Sequence, residues 1–325
     1  MITSIISQRL GIKETQVAAT LKLLEDGATV PFIARYRKEA TGSLDEVAIS
    51  NISQQSDKLY ELEKRKETIL STIEGQDKLT PELRKRIEDS WESTELEDIY
   101  LPFKPKRRTK AQVARENGLE PLAMLIMQER VGSESELERL AEKHIKGNVK
   151  SAEDALQGAR DIIAENVSED EKCRNAVRRE FSYTSTITSK VIKGKEAEGD
   201  KFKDYFDFSE PLKRCSSHRL LAMRRGEREG ILRVSISPDD DLAEEKILRL
   251  RVRRSGASSE HIKIACHDAY KRLLKPSIET EFAAASKEKA DEEAIAVFAS
   301  GLRQLLLASP LGPKRVMGID PGFRT

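Results

Sequence analysis

The stretch "KLYELEKRKETILSTIE", residues 58–74, decides the fold class of this chain. Its apolar residues recur at intervals of three, four and seven among Lys and Glu: Leu59, Leu62, Ile69 and Ile73. This spacing places the apolar side chains on one face of a helix and the charged ones on the other. The pattern predicts a long amphipathic helix from Leu44 to about Glu74.

Helical patterns also precede and follow this stretch. The first forty residues read as short helices, either a helix-turn-helix or a plain helical hairpin. A capping box at Ser43 predicts the start of one further helix. The pairs Ser133/Glu136 and Ser168/Glu171 predict two more helix starts beyond residue 130. Residues 151–181 read as two consecutive helices, and residues 261–307 as strong helices again. We therefore expect a mostly helical chain.

The pattern of apolar and polar residues changes between residues 191 and 254. "GILRVSISP", residues 230–238, alternates apolar and polar residues and ends at a proline, which is typical of a strand. "EEKILRLRVRR", residues 244–254, fits a strand or a helix, and its flanking Glu residues favour the helix. The sequence thus predicts a mainly α fold with at most a short strand or hairpin near 230–237.

The composition limits the possible functions. The chain has 325 residues, enough for two or three domains, and 57 Lys and Arg against 56 Asp and Glu. With a net charge of +1, affinity for nucleic acid has to come from local basic patches. The sequence has no apolar run long enough to span a bilayer and no signal-peptide pattern, so we expect a cytoplasmic protein without a membrane partner.

Motifs for common enzyme chemistry are missing from the sequence. It has no phosphate-binding Gly-rich loop, no Gly-x-Ser-x-Gly and no His-Glu-x-x-His. Cys173, Cys215 and Cys266 are far apart and are expected to be reduced thiols. His261 and His267 would point in different directions on a helix, so surface or capping roles are expected for them. We expect no catalytic or metal-binding residues, no cofactor and no small-molecule substrate.

The best candidate for binding is the basic segment, residues 104–110 of "YLPFKPKRRTK". Its cations can neutralise phosphates, and its prolines keep the backbone extended: Lys104, Lys106, Arg107, Arg108 and Lys110. Alternatively, these charges pair with the acidic run "ESTELEDIY", residues 92–100. Weaker basic patches lie at Arg224 and Arg225, with Arg228, and at residues 249–254.

The stretch "RVMGIDPGFRT", residues 315–325, predicts a buried strand that ends at Asp320. A carboxylate at the end of a strand is the first ligand that a two-metal nuclease needs. That chemistry requires further carboxylates from neighbouring strands, and this chain does not supply them. We therefore expect no nuclease activity from this chain alone.

Several long motifs in this chain, taken in their order, resemble one known family. They are "VPFIARYRKEATGSLDEV", "LEDIYLPFKPKRRTKAQVARENGLEPLA", "HRLLAMRRGEREG", "DAYKRLLKPSIETE" and "RQLLLASPLGPKRVMGIDPGFRT". Together they look like the Tex family of bacterial transcription accessory proteins, over essentially the whole chain.

The resemblance implies an architecture and a function. Tex proteins have an elongated, mainly helical N-terminal half, then a YqgF domain with an RNase H-like fold, helix-hairpin-helix modules and an OB-fold RNA-binding domain. By that layout residues 1–190 are the N-terminal helical region, residues 191–310 a second helical region, and residues 311–325 the first strand of a truncated YqgF domain. The family binds nucleic acids with little sequence preference, and its nuclease site is thought to be degenerate.

Two functional hypotheses follow from the sequence. In the first, the chain is a nucleic-acid-binding transcription accessory factor whose basic patches contact RNA or DNA. In the second, it is a protein-interaction scaffold that docks on RNA polymerase or another part of the transcription machinery, while a C-terminal OB-fold domain binds the nucleic acid.

Overall fold

The computed structural model describes residues Met1–Ile319. The chain is mainly α-helical and forms two compact units, a first unit from Met1 to Thr109 and a second unit that begins at Lys110. The mainly α class predicted from the sequence is therefore confirmed. Asp320, the residue at which the predicted C-terminal strand ends, lies outside the described residues.

The first unit consists of short helices around one long helix. In chain order they are α1 (Ile2–Leu10), α2 (Glu14–Glu25), α3 (Val30–Tyr36), α4 (Lys38–Thr41), α5 (Glu46–Glu74), α6 (Pro81–Asp89) and α7 (Ser93–Tyr100), followed by a 3-10 turn at Leu101–Phe103. Gly11 ends α1 with a left-handed conformation, φ 65°. Whether α1 and α2 act as a helix-turn-helix stays a prediction.

Helix α5 is the long amphipathic helix that the sequence predicted, and it links two apolar clusters. Its first half packs Ile52 and Leu59 against α1 and α2. Its second half packs Leu62, Ile69 and Ile73 against α6 and α7. The spacing of these residues along one helix face therefore lets α5 pack against α1 and α2 with its first half and against α6 and α7 with its second half.

One cation is buried inside the first unit. Lys66 of α5 is only 6% exposed, and its Nζ donates to the backbone carbonyl of Glu88 at 2.7 Å. The same ammonium lies 3.6 Å from the ring centroid of Trp91. Burial lowers the pKa of Lys66. This lysine ties α5 to α6 and to the segment that follows α6, and it serves the fold.

The second unit contains the remaining helices and a small sheet. Its helices are α8 (Lys110–Glu116), α9 (Glu120–Met127), α10 (Glu134–Glu142), α11 (Ala152–Glu169), α12 (Glu171–Thr184), α13 (Ser217–Arg228), α14 (Asp240–Arg251), α15 (Ala257–Asp268) and α16 (Lys275–Leu306). Its strands are β1 (Thr186–Val191), β2 (Asp207–Pro211) and β3 (Leu232–Ser237). Helix α14 confirms the helical interpretation of residues 244–251.

The sheet has the order β2-β1-β3, and both pairs are antiparallel. Thr188 in the central strand lies opposite Ser209 and Ser235, so small polar side chains cover one face. On the other face Ile187 and Ile236 are fully buried. Strand β3 is the one that the sequence predicted, and β1 and β2 add to it.

Two helix starts differ from the predicted capping boxes. Asp45, not Ser43, caps α5 by accepting the backbone N–H of Ala48 at 2.8 Å. Ser168 lies in the last turn of α11, and Asp170 caps α12 instead. Aspartate is as good a cap as serine, and at both sites it lies closer to the first turn of the helix.

Helix α16 changes character along its length. It follows a π-helical stretch, Ala269–Leu274, and its first half is held in the unit through buried Ile278. Its second half exposes large apolar side chains: Ile295 67%, Val297 74%, Phe298 71%, Leu305 76% and Leu306 76%. Residues 316–319 are exposed and form no strand. Across residues 1–319, no helix combines the length and apolar character that crossing a bilayer requires.

Candidate nucleic-acid interface

The basic segment starts from a fixed point in the first unit. The side-chain amide of Gln76 donates to the carbonyl of Phe103 at 2.8 Å, and the N–H of Lys104 donates to the carbonyl of Tyr100 at 3.0 Å. Lys104 itself has extended dihedral angles, φ −61° and ψ 127°, just before Pro105. The loop is thus short and is anchored to the segment just after α5 and to the last residue of α7.

All cations of this loop are exposed: Lys104, Lys106, Arg107 and Arg108. Within residues 1–319, no hydrogen bond or ion pair engages the side chain of Lys104 or Arg107. Lys106 and Arg108 each take part in an interaction. Exposed cations on an extended backbone are well placed to meet phosphates.

The acidic run before the loop has other partners. Glu92 pairs with Arg9 at 2.7 Å, and Glu97 pairs with Arg65 at 2.6 Å. The carboxylate of Glu95 accepts the hydroxyl of Ser90. These three glutamates bind groups elsewhere in the first unit, whereas Asp98 of the same run takes part in a further interaction, so the alternative that the run pairs with the loop applies at most to Asp98.

Lys110 has different surroundings from the other members of the basic segment. It is the first residue of α8, belongs to the second unit and lines a cavity of about 530 Å³ together with Asp154 and Asp161. Burial raises the pKa of Asp161, while the charges of Lys110 and Arg272 lower it. Lys110 therefore faces a partly buried carboxylate.

The two predicted arginines of α13 are both in ion pairs. Arg224 is 13% exposed, and its guanidinium lies 2.8 Å from Glu227. Arg225 is 62% exposed and lies 2.9 Å from Glu229. Glu229 also pairs with Lys201, and hydrogen bonds from Lys201 and Arg225 hold the pKa of Glu229 below its usual value. These arginines are neutralised locally, so they are less suited to phosphate contacts than the loop.

Sequence reasoning missed one arginine cluster. Arg130, Arg251, Arg253 and Arg254 line a single cavity of about 360 Å³ in the second unit, which we call the arginine cavity. The run at residues 249–254 was visible in the sequence as a weak basic patch. Arg130 is far from it in the sequence, and no local pattern signals that the fold brings it there.

His261 is a structural residue, which corrects the surface or capping role expected from the sequence. It is 5% exposed. Its Nδ1 lies 3.1 Å from the guanidinium of Arg160, and its Nε2 lies 3.0 Å from the carboxylate of Glu134. Because a guanidinium only donates, Nδ1 accepts and Nε2–H donates to the carboxylate. The contact ties α10, α11 and α15 together.

The three cysteines are free, and burial suppresses their reactivity. Burial raises the pKa of Cys173 to about 11 and that of Cys215 and Cys266 to about 12. Within the described residues, no group of three or more His, Cys, Asp or Glu is arranged to hold a metal ion.

Comparison with known proteins identifies the family. A family model described as Tex central region-like matches residues 133–298, about half of the chain. A second model, described as Tex-like protein N-terminal domain, matches residues 1–74. The chain belongs to the Tex family. The range matched by the central-region model contains the arginines of α13 and, from the arginine cavity, Arg251, Arg253 and Arg254. The basic segment lies between the two matched ranges.

Named relatives agree with the Tex assignment. The chain is 42% identical over 329 residues to the transcriptional accessory protein Tex of Neisseria gonorrhoeae, covering 99% of this chain and 43% of that protein. It is 40% identical over 336 residues to protein tex of Bordetella pertussis, covering 98% of this chain and 42% of that protein. It is 31% identical over 337 residues to human S1 RNA-binding domain-containing protein 1, covering 99% of this chain and 34% of that protein. The chain thus spans less than half the length of these relatives.

Proposed function

We propose that this chain is part of a cytoplasmic, non-catalytic transcription accessory factor that binds RNA or DNA without strong sequence preference. The observation that carries the proposal is the exposed loop of Lys104, Lys106, Arg107 and Arg108, whose backbone is anchored and extended at Lys104. The names of the relatives support it, because one is a transcriptional accessory protein and another has an S1 RNA-binding domain.

The physics of the loop favours backbone phosphates over bases. Lysine and arginine on an extended strand reach successive phosphates, and these contacts carry no sequence information. Binding releases counterions, so the logarithm of the affinity falls with the logarithm of salt by about 0.7 for each phosphate neutralised on a single strand. A pre-extended loop also loses little conformational entropy when it docks.

A salt titration of this chain tests the proposal. A fluorescein-labelled single-stranded RNA of mixed sequence is titrated with the chain at several salt concentrations, and anisotropy reports binding. We expect weak binding at low salt, similar for unrelated sequences, with a slope that corresponds to a few phosphates. Absence of binding at low salt would rule out a direct role for the loop.

The alternative function is a protein-interaction scaffold, and one observation favours it. The second half of α16 exposes Ile295, Phe298 and Leu305, which is typical of a surface that binds another protein. In this alternative the chain docks on RNA polymerase, and nucleic acid is bound by an OB-fold domain outside it.

Binding to purified RNA polymerase, without nucleic acid, tests the alternative. A biotinylated chain on a sensor surface is exposed to the polymerase, with Phe298→Asp as the variant and the exposed α13 substitution Arg225→Ala as the control. The scaffold function predicts binding that Phe298→Asp weakens and Arg225→Ala leaves intact. Equal binding by all three proteins, or none, counts against it.

A further inference from the structure

The arginine cavity holds guanidinium groups that have no partner. Arg130, Arg253 and Arg254 are exposed, and within residues 1–319 no ion pair or hydrogen bond engages their side chains. The fourth arginine, Arg251, pairs with Asp170 at 2.7 Å and donates to the sulfur of Cys173 at 3.2 Å. Three unpaired cations therefore share one concave surface with a fourth that is held in place.

The backbone around the cavity is fixed by Glu129. Its carboxylate accepts the backbone N–H of Arg253 at 3.0 Å and the hydroxyl of Ser259 at 3.0 Å. Nearby, the N–H of Ala257 donates to the carbonyl of Gly132 at 3.1 Å. These bonds tie the segment after α9 to the segment before α15, so Arg130 and Arg253 extend from backbones that are already positioned. A site built in this way loses little entropy when a ligand binds.

The charge of the cavity favours an anion. Glu129 is the one carboxylate among the described residues that line it, and its oxygens are already bonded to N–H and O–H donors. Cations that share a partly enclosed surface repel one another, and repulsion is stronger where water is partly excluded. An anion that enters between them removes this repulsion.

We propose that the arginine cavity binds a phosphate group, supplied either by a nucleic-acid backbone or by a small phosphate-bearing molecule. Arginine presents a planar fork of donors that matches phosphate oxygens in pairs, which a lysine cannot do. The volume of about 360 Å³ is at the small end of the roughly 300–1,000 Å³ of ligand pockets and accommodates a phosphate or a pyrophosphate. This site is separate from the basic loop and does not depend on it.

Calorimetric titration of the chain with pyrophosphate tests the site. We expect binding that weakens by about tenfold or more in Arg253→Ala/Arg254→Ala, and severalfold in Arg130→Ala, because charge-assisted bonds are lost. Arg249→Ala is the matched control. Arg249 belongs to the same run but pairs with Glu245 at 2.6 Å and does not line the cavity. The affinity of this variant for pyrophosphate should therefore stay within about twofold of that of the parent chain.

Two further arms separate the possible outcomes. Lys104→Ala/Arg107→Ala keeps pyrophosphate binding even if it abolishes RNA binding, which distinguishes this proposal from the function proposed above. If the cavity variants also weaken RNA binding, the phosphate belongs to a nucleic-acid strand; if they do not, it belongs to a small molecule. Thermal melting checks that each variant is folded. If a cavity variant is not folded, Arg130→Gln is tested for pyrophosphate binding in its place. Absence of pyrophosphate binding, or binding that survives both cavity substitutions, overturns the proposal.

Discussion

The basic loop and helix α13 carry the same kinds of side chain in opposite electrostatic surroundings. In the loop, Lys104 and Arg107 are exposed, and no described residue forms an ion pair with them. In α13, Arg224 and Arg225 each lie within 3 Å of a glutamate, at 2.8 and 2.9 Å. The sequence presented both as basic patches, but the structure leaves net charge at the loop and removes most of it at the helix.

The difference follows from local geometry. A helix brings residues three and four apart onto the same face, so Glu227 and Glu229 fall beside the two arginines. The proline-containing loop lacks this helical spacing, and no described residue pairs with Lys104 or Arg107, although Lys106 and Arg108 each take part in an interaction. Cations in a helix are therefore available to a ligand only where the positions three and four residues away carry no acid, and counting charges in the sequence does not show this.

The largest expected effect concerns cations that hold the fold. Glu281 of α16 accepts from Arg174 at 2.5 Å and from Arg178 at 2.7 Å, and both arginines are on α12. Glu281→Ala leaves these partly buried charges without that carboxylate, and we expect a loss of about 3 kcal/mol in the free energy of unfolding. Urea denaturation measures it.

The control for this substitution lies in the basic loop. Lys104→Ala/Arg107→Ala should change the free energy of unfolding by less than about 0.5 kcal/mol, because surface side chains without partners contribute little. A similar loss for both proteins would contradict the distinction between fold-holding and available cations.

Alkaline pH should act on the second unit, which contains all three cysteines. Burial raises the pKa of Cys173 from 9.0 to about 11 in the folded chain, so the folded state binds the proton more tightly than the unfolded state. Its contribution to stability is complete below pH 9.0 and is lost as the pH rises towards 11. We expect a loss of at least about 1 kcal/mol over this range, measured by urea denaturation. Cys173→Ala should make the profile less steep but not flat, because burial also raises the pKa of Cys215 and Cys266, to about 12. An unchanged profile would argue against burial of the Cys173 thiol.

A smaller effect is expected within α13 itself. Arg224 is mostly buried, so Arg224→Ala should cost about 1 kcal/mol of unfolding free energy by removing its packing and its pair with Glu227. Arg225→Ala removes an exposed pair and should cost less than about 0.5 kcal/mol. Neither should change RNA affinity by more than about twofold. A large loss of RNA affinity in Arg225→Ala would show that the ion pair opens for the ligand.

The sequence predicted the elements that follow from periodicity. The spacing of Leu59, Leu62 and Ile69 identified α5 because each of these residues faces the apolar interior of the first unit. Alternation at residues 232–237 identified β3 for the same reason. The loop, too, was recognisable from its prolines and charges.

Features that depend on distant partners could not be predicted in this way. Strand β2 has the sequence "DFSEP", which has little strand propensity and is formed by pairing with β1. Arg130 joins Arg253 only because α9 and α15 pack together. The pairing of Arg225 with Glu229 was readable from the sequence spacing, but its effect on binding required the geometry.

The most direct test of the central claim is the salt dependence of RNA binding in two matched variants. One replaces Lys104, Lys106, Arg107 and Arg108 by alanine, and the other replaces Arg224 and Arg225. The account predicts that the loop variant lowers the slope of log affinity against log salt by about 2–3, since each lost phosphate contact removes about 0.7, while the α13 variant keeps the slope of the parent chain. A parent-like slope in the loop variant, together with a reduced slope in the α13 variant, would contradict it.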